Sequence, residues 1–166
     1  MAIAFDTFPT YARQAIEGQI RDESMCDIRT SVSEVAIPFG RALFAGTGAM
    51  GAVLAKTGAG LFVGISQRLV ISSALTLDPA AAGNFNGFGG YIAGREVSRV
   101  ATGAIWVKTL GGATKGQQAY AVPATGELTN AASGNILLPE CFFDSPAAAG
   151  ELAILRVFGE KIIAAA

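Results

Sequence analysis

The sequence predicts a mainly β protein, a compact antiparallel barrel or sandwich (jelly-roll-like), on three observations. From Ser33 onward, short apolar runs rich in Val, Ile, Phe and Leu are separated by glycine clusters, the pattern of strands joined by tight turns. The stretch TKGQQAYAVPATGELTNAASGN, 114–135, sets AYAV and ELT around PATG, which supplies the turn of a short hairpin with glycine at the left-handed position. The one helix candidate, YARQAIEGQIRDE, is interrupted by Gly18 and has only a weak apolar stripe of Ala12, Ala15, Ile16 and Ile20.

Taken in order, residues 1–32 read as an extended N-terminal arm and 33–166 as a single all-β domain. Phe5, Phe8, Pro9 and Tyr11 come early, and IEGQIRDESMCDIRT then mixes both charges densely, so the arm is expected to order on a partner, and removal of residues 1–20 is expected to leave the β-domain folded. Strands are predicted at 34–44, 52–56, 61–66, 89–94, 95–101, 104–109, 118–123, 126–130 and 152–158. Pro38 marks an edge or a bulge, because proline cannot donate to a ladder. In 104–109, Ile105 and Val107 share one face and Ala104, Trp106 and Lys108 the other; Trp106 is read as core, with a partner contact as the alternative. Residues 71–90 read as a long surface loop whose Phe85 and Phe88 have no core of their own and touch another protein. DSPAAAGE, 144–151, is a turn, and IIAAA after it is either a frayed tail or a docking strand.

Composition narrows the partners. The 166 residues are 51% hydrophobic and 15% charged, against roughly 25% charged in ordinary soluble domains, so some apolar surface is expected to meet another chain. Mean hydropathy is +0.45. With 12 Lys and Arg against 13 Asp and Glu, no net field draws the chain to nucleic acid or to an anionic membrane. Arg95 and Arg99 beside Tyr91 are too few for a basic-aromatic surface. MAIAFDTFPTYARQ lacks the pattern of a secretory leader, and no apolar run reaches the roughly 18 residues of a membrane helix, so the chain reads as soluble and cytoplasmic when made.

Chemistry is scarce. The sequence has no histidine, which rules out Ser-His-Asp and Cys-His sites. Cys26 and Cys141 stand far apart and read as buried free thiols, and with no His only an all-oxygen metal site would be available, without EF-hand spacing. Asp22 with Glu23, and Glu127 with Glu151, read as solvated charges. GTGAMG at 46–51 matches a dinucleotide-binding pattern, but AVLAKTGAG follows where a helix is needed, and Arg68 rather than an acid lies near the ribose-binding distance; it reads as a hairpin turn. No catalytic residue, metal or cofactor is expected.

GRALFAGTG, LFVGIS, GAIWVK, the 114–135 hairpin and FFDSPAAAGELAILRV, in that order, together with EGQIRD after an aromatic-proline start, resemble the structural cement (head decoration) proteins of tailed bacteriophages over roughly residues 8–158. The resemblance rests on glycine placement, with Gly40, Gly64, Gly116 and Gly126 permitting φ > 0 or close strand approach. It implies a non-enzymatic protein on the outer surface of the virion capsid, bound across joints between major capsid protein subunits and stabilising the head. It also implies self-association without choosing the number of copies; the 51% hydrophobic and 15% charged composition is read as favouring a trimer, with a dimer as the alternative. Phe5, Phe8, Pro9, Tyr11, Phe85 and Phe88 would be the contact residues, to the capsid or to a sister copy. The alternative reading is a small all-β tail or fibre component that grips a host glycan.

Overall fold

The structure is a computed structural model describing residues 15–54, 60–69 and 89–163, and every regular element among them is a strand. In chain order these are β1 (Ile20–Ser33), β2 (Ile37–Pro38), β3 (Ala42–Ala45), β4 (Gly51–Val53), β5 (Gly60–Ser66), β6 (Gly90–Tyr91), β7 (Glu96–Lys108), β8 (Gln118–Ala121), β9 (Leu128–Thr129), β10 (Ile136–Phe143), β11 (Leu152–Phe158) and β12 (Lys161–Ile163).

Strands β5, β3, β4, β1 and β7 follow one another in hydrogen-bonded order. β5 then pairs with β7, Ile65 opposite Val100 and Ser66 opposite Arg99, so the five close into a small barrel. Closure needs Gly64, whose φ is +138° and where a Cβ would lie 2.4 Å from the Val100 carbonyl oxygen. β7 runs past the closure, and its second half carries β11, β10, β8 and β9 as an open antiparallel sheet.

Two cores result from the alternation of side chains across these strands. Leu43, Ala52, Val63 and Val97 pack together with Ile37, Phe39 and Tyr91 of the β2–β6 ribbon and its flank. Phe39 and Tyr91 meet edge to face at 5.4 Å, and burial pushes the Tyr91 phenol up to about 12, leaving it a neutral donor to the Gln67 carbonyl at 2.7 Å. The opposite faces of β3 and β5, with Ala42, Phe44, Phe62 and Ile65, pack on Ile105, Val107, Leu128, Leu138, Phe143 and Leu155 of the open sheet. At about 1.5–3 kcal/mol per fully buried large apolar side chain, this second core is the main source of cohesion between the two layers.

The mainly β architecture matches the expectation, but several elements differ from it. The stretch 20–32, assigned to the arm, is the body of β1, paired antiparallel with β7 from Ile20–Ile105 to Val32–Glu96. Ile20 and Cys26 pack only partly buried against the core and the inward residues of its second half include buried Ser31 and Ser33, so no sustained hydrophobic alternation announces it. Ser31 Oγ accepts from Arg99 Nε at 2.8 Å, and Ser33 Oγ donates to the Ile92 carbonyl at 2.6 Å. The predicted strand at 34–44 is split into β2 and β3 around Pro38 and Gly40, the latter at φ +71°. The predicted runs at 95–101 and 104–109 are one strand, β7, continuous through Gly103. β10 was not predicted; its Pro139 and Glu140 interrupt the pattern. β12 pairs with β5, Ile162 opposite Leu61, which is the docking-strand alternative.

Candidate interaction surfaces

The 114–135 hairpin forms as expected: Tyr120 faces Thr129 and Ala121 faces Leu128, with Gly126 at φ +64° donating to the Val122 carbonyl at 2.9 Å. The glycine does more than turn the chain. Ala42 N–H donates to the Gly126 carbonyl at 2.8 Å, and a Cβ on Gly126 would lie 2.6 Å from the Ala42 oxygen, so the hairpin tip is sewn to β3. Arg41 pairs with Glu127 across the same seam at 2.8 Å. Gln118, which the sequence did not single out, donates its amide to the Leu138 and Cys141 carbonyls at 2.6 and 2.9 Å. It satisfies the backbone where β10 leaves its ladder with β8 between Leu137 and Phe142.

GTGAMG is a hairpin turn between β3 and β4, wrapped around the Glu34 carboxylate. Gly48 N–H donates to Glu34 Oε1 at 2.7 Å and Thr47 Oγ1 to Oε2 at 3.1 Å, and these bonds hold the carboxyl below its ordinary range. A Cβ on Gly51 would lie 1.9 Å from Glu34 Oε1, so the glycines make room for a side chain of the protein itself.

Where β1 begins, Gly18 N–H donates to the Trp106 carbonyl at 2.7 Å, Trp106 N–H to Gln19 at 2.8 Å, and Arg68 N–H to Gly18 at 2.6 Å. Arg68 also lies 4.4 Å over the Phe39 ring. Glu17 is drawn into this corner, its Oε1 enclosed without a hydrogen-bond partner. Burial pushes its carboxyl up from 4.5, against the pull of Arg41, Lys108 and Arg68. A raised folded-state value means the folded form binds the proton more readily. Stability is therefore expected to increase as pH falls through that raised value and to level off below 4.5. In thermal melts from neutral to mildly acidic pH, Glu17→Gln is expected to lose that part of the rise, amounting to a few degrees; an unchanged profile would place the titration elsewhere.

Asp144 behaves oppositely. Arg156 at 3.0 Å, and Arg21 and Lys115 each at 3.5 Å, converge on its carboxylate; Arg156 first and then Lys115 hold it below the usual carboxylate range, so its contribution is lost only as pH falls through that depressed value.

Exposed apolar side chains gather in two places. Val32, Val35 and Met50 surround the β1–β4 junction, where Val32 N–H donates to the Met50 carbonyl at 2.8 Å, and Ile28 extends the set along β1. The second place is the face of the open sheet turned away from the main core, with Leu137, Phe142 and Phe158. Trp106 lies on this face opposite Ile154 and is half-buried, so the core assignment is corrected: Ile105 and Val107 supply the core from this strand.

The contact residues expected from the sequence, Phe5, Phe8, Pro9, Tyr11, Phe85 and Phe88, lie outside the described residues. Cys141 is buried and Cys26 half-buried, and neither is in a disulfide. Among the described residues no group of His, Cys, Asp and Glu is arranged to hold a metal.

A five-stranded barrel extended by an open sheet, with glycine-built hairpins, packed cores and apolar outer surface, defines a structural β-scaffold. The family model described as "Structural cement protein (E217 gp24/Pam3 gp6)" matches residues 6–158, and the chain belongs to that family, whose members are structural proteins of the phage capsid. The fold is similar to a chain in the solved structure "The capsid of Myoviridae Phage XM1", with a TM-score of 0.69 and 17% identity, covering 94% of this chain and 97% of that one. A weaker likeness is to "The crystal structure of head fiber gp8.5 N base in bacteriophage phi29", with a TM-score of 0.45 and 11% identity over 81% of this chain and 95% of that one. No curated protein matches the chain.

Proposed function

We propose that the protein binds the outer surface of the assembled phage head across joints between major capsid protein subunits, and stabilises it without catalysis. The family match over residues 6–158 is the observation that carries this reading. The barrel resists deformation because β7 ties both layers together, and the apolar outer patches supply area to bury. Specific interfaces bury about 1,200–2,000 Å², and repetition over many joints multiplies a modest local gain. Copies associate with one another, as a trimer in preference to a dimer, and the arm, with Phe5, Phe8, Pro9 and Tyr11, lies across neighbouring subunits.

The deciding experiment is cosedimentation with purified expanded shells that lack the protein, run beside a carbohydrate array. Binding to shells together with a raised shell melting temperature is the expected result; binding to glycans and not to shells would favour a fibre component instead. In the same assay, replacing Phe85 and Phe88 with serine is expected to weaken shell binding about tenfold with little change in the Tm of the free protein. A large fall in Tm with binding intact would assign both rings to the core.

A further inference from the structure

We infer that the outward face of the open sheet, centred on Arg21, Arg156, Phe142 and Phe158, receives an extended acidic segment of the major capsid protein, an inference that rests on the capsid-binding reading above. The register lays the face out in rows. Asp22, Ala104, Arg156, Phe142 and Gln118 form one line across five strands, flanked by Asp27, Thr102 and Phe158 on one side and by Trp106 and Ile154 on the other. Cross-strand neighbours in such rows stand about 5 Å apart, so the rings and guanidinium groups form a continuous surface.

Two bulges frame it. β1 advances from Asp22 to Asp27 while β7 moves only from Ala104 to Thr102, and β10 advances from Leu137 to Phe142 while β8 moves only from Tyr120 to Gln118. Each carries one of the two non-glycine residues with positive φ among those described, Met25 at 58° and Glu140 at 56°. Gly103 accommodates the first, since a Cβ there would lie 2.8 Å from Cys26 Sγ. Met25 is left 92% exposed on this strained backbone. Strain of this kind persists where the surrounding structure holds it, and it clusters at binding sites.

Charge selects the occupant. A smaller bulge between Ile20 and Asp22 turns Arg21 out to Asp144, where Lys115 and Arg156 also arrive. Three cations thus share the Asp144 carboxylate, with Asp22 and Asp27 at the β1 edge of the same rows and Asp27 paired with Arg29 at 2.9 Å, and the side chains of Arg21 and Arg156 remain 43% and 42% exposed. Half-open guanidinium forks beside aromatic rings suit an incoming carboxylate followed by an apolar side chain. A second copy packed by two-fold symmetry would set these same cations against themselves, which disfavours self-association through this face. Among the described residues, the patch around Val32, Val35 and Met50 has no such cation cluster, and it serves as the comparison surface.

The test measures cosedimentation of full-length protein with purified expanded shells at low and high salt, alongside Tm and sedimentation velocity of the free protein. The double variant Arg21→Gln/Arg156→Gln is expected to bind about tenfold or more weakly at low salt and to lose most of its salt dependence. Phe142→Ser/Phe158→Ser, which alters only exposed positions, is expected to bind about tenfold more weakly with salt dependence retained. Both keep the wild-type Tm within a few degrees. Wild-type binding by both doubles, with loss in Val35→Ser/Met50→Ser, overturns the inference while leaving capsid binding intact. Dissociation of a free oligomer by the arginine double would make a second copy the occupant and also overturn it, and failure of the wild-type protein to bind shells would overturn the parent reading as well.

Discussion

Removal of residues 1–33 is expected to abolish the cooperative thermal transition, whereas removal of 1–14 is expected to shift Tm by only about 2 °C. The shorter deletion leaves every described contact in place. The longer one removes β1, which lines β7 from Ile20 to Val32 and joins it to β4 through Val32–Gly51 and Ser33–Ala52. Without it the five-stranded ring opens, Val97 loses its cover, and buried Arg99 loses the Ser31 hydroxyl while keeping its ion pair to Glu160 at 2.7 Å. An intermediate deletion of 1–19 would cut the bonds from Gly18 and Gln19 to Trp106 and Arg68, and should lower Tm by several degrees with the transition still sharp. A sharp transition in the 34–166 fragment would show that β1 is an appendage rather than a barrel wall.

Gly64→Ala is expected to destabilise the protein by about 3 kcal/mol, a fall in Tm of roughly 10 °C. Two costs combine. An alanine at φ +138° is strained, and its methyl would be driven to 2.4 Å from the Val100 oxygen and 3.0 Å from its carbon, both backbone atoms fixed in the β5–β7 closure. Gly94→Ala separates them. That glycine has φ +78° with nothing within 4 Å, so only the backbone cost applies, about 1 kcal/mol. Equal losses in the two variants, measured by denaturant titration, would mean that close approach at the barrel seam contributes nothing.

Features specified by neighbouring residues were legible. The PATG hairpin, the GTGAMG turn, the break at Pro38 and the strand at 152–158 all follow from local turn chemistry and alternation, and each is present. Trp106 was harder, because β7 has an apolar residue on both faces at that point and alternation does not say which face meets the core. The Asp144 cluster was not legible at all: Arg21, Lys115, Asp144 and Arg156 come from separate parts of the chain, and an isolated exposed charge carries no pattern. Gln118 was equally silent, since its amide matters only once β10 bulges beside it.

The sequence by itself determined a glycine-punctuated, mainly antiparallel β protein without the residues for histidine-based catalysis, and its motif order pointed to the cement family; the parallel β1–β4 pair was not part of that reading. Those properties depend on φ at single residues and on side-chain chemistry, which act over a few positions. Tertiary structure alone decided that 20–33 is a barrel wall, that 96–108 is one strand shared by two layers, and which sheet face is left uncovered. The reason is that β1 is held by backbone hydrogen bonds to β7, distant in sequence, and its buried serines are satisfied by Arg99 and by the Ile92 and Arg95 carbonyls. A strand stabilised by long-range pairing and inward hydroxyls leaves no hydrophobic period to read.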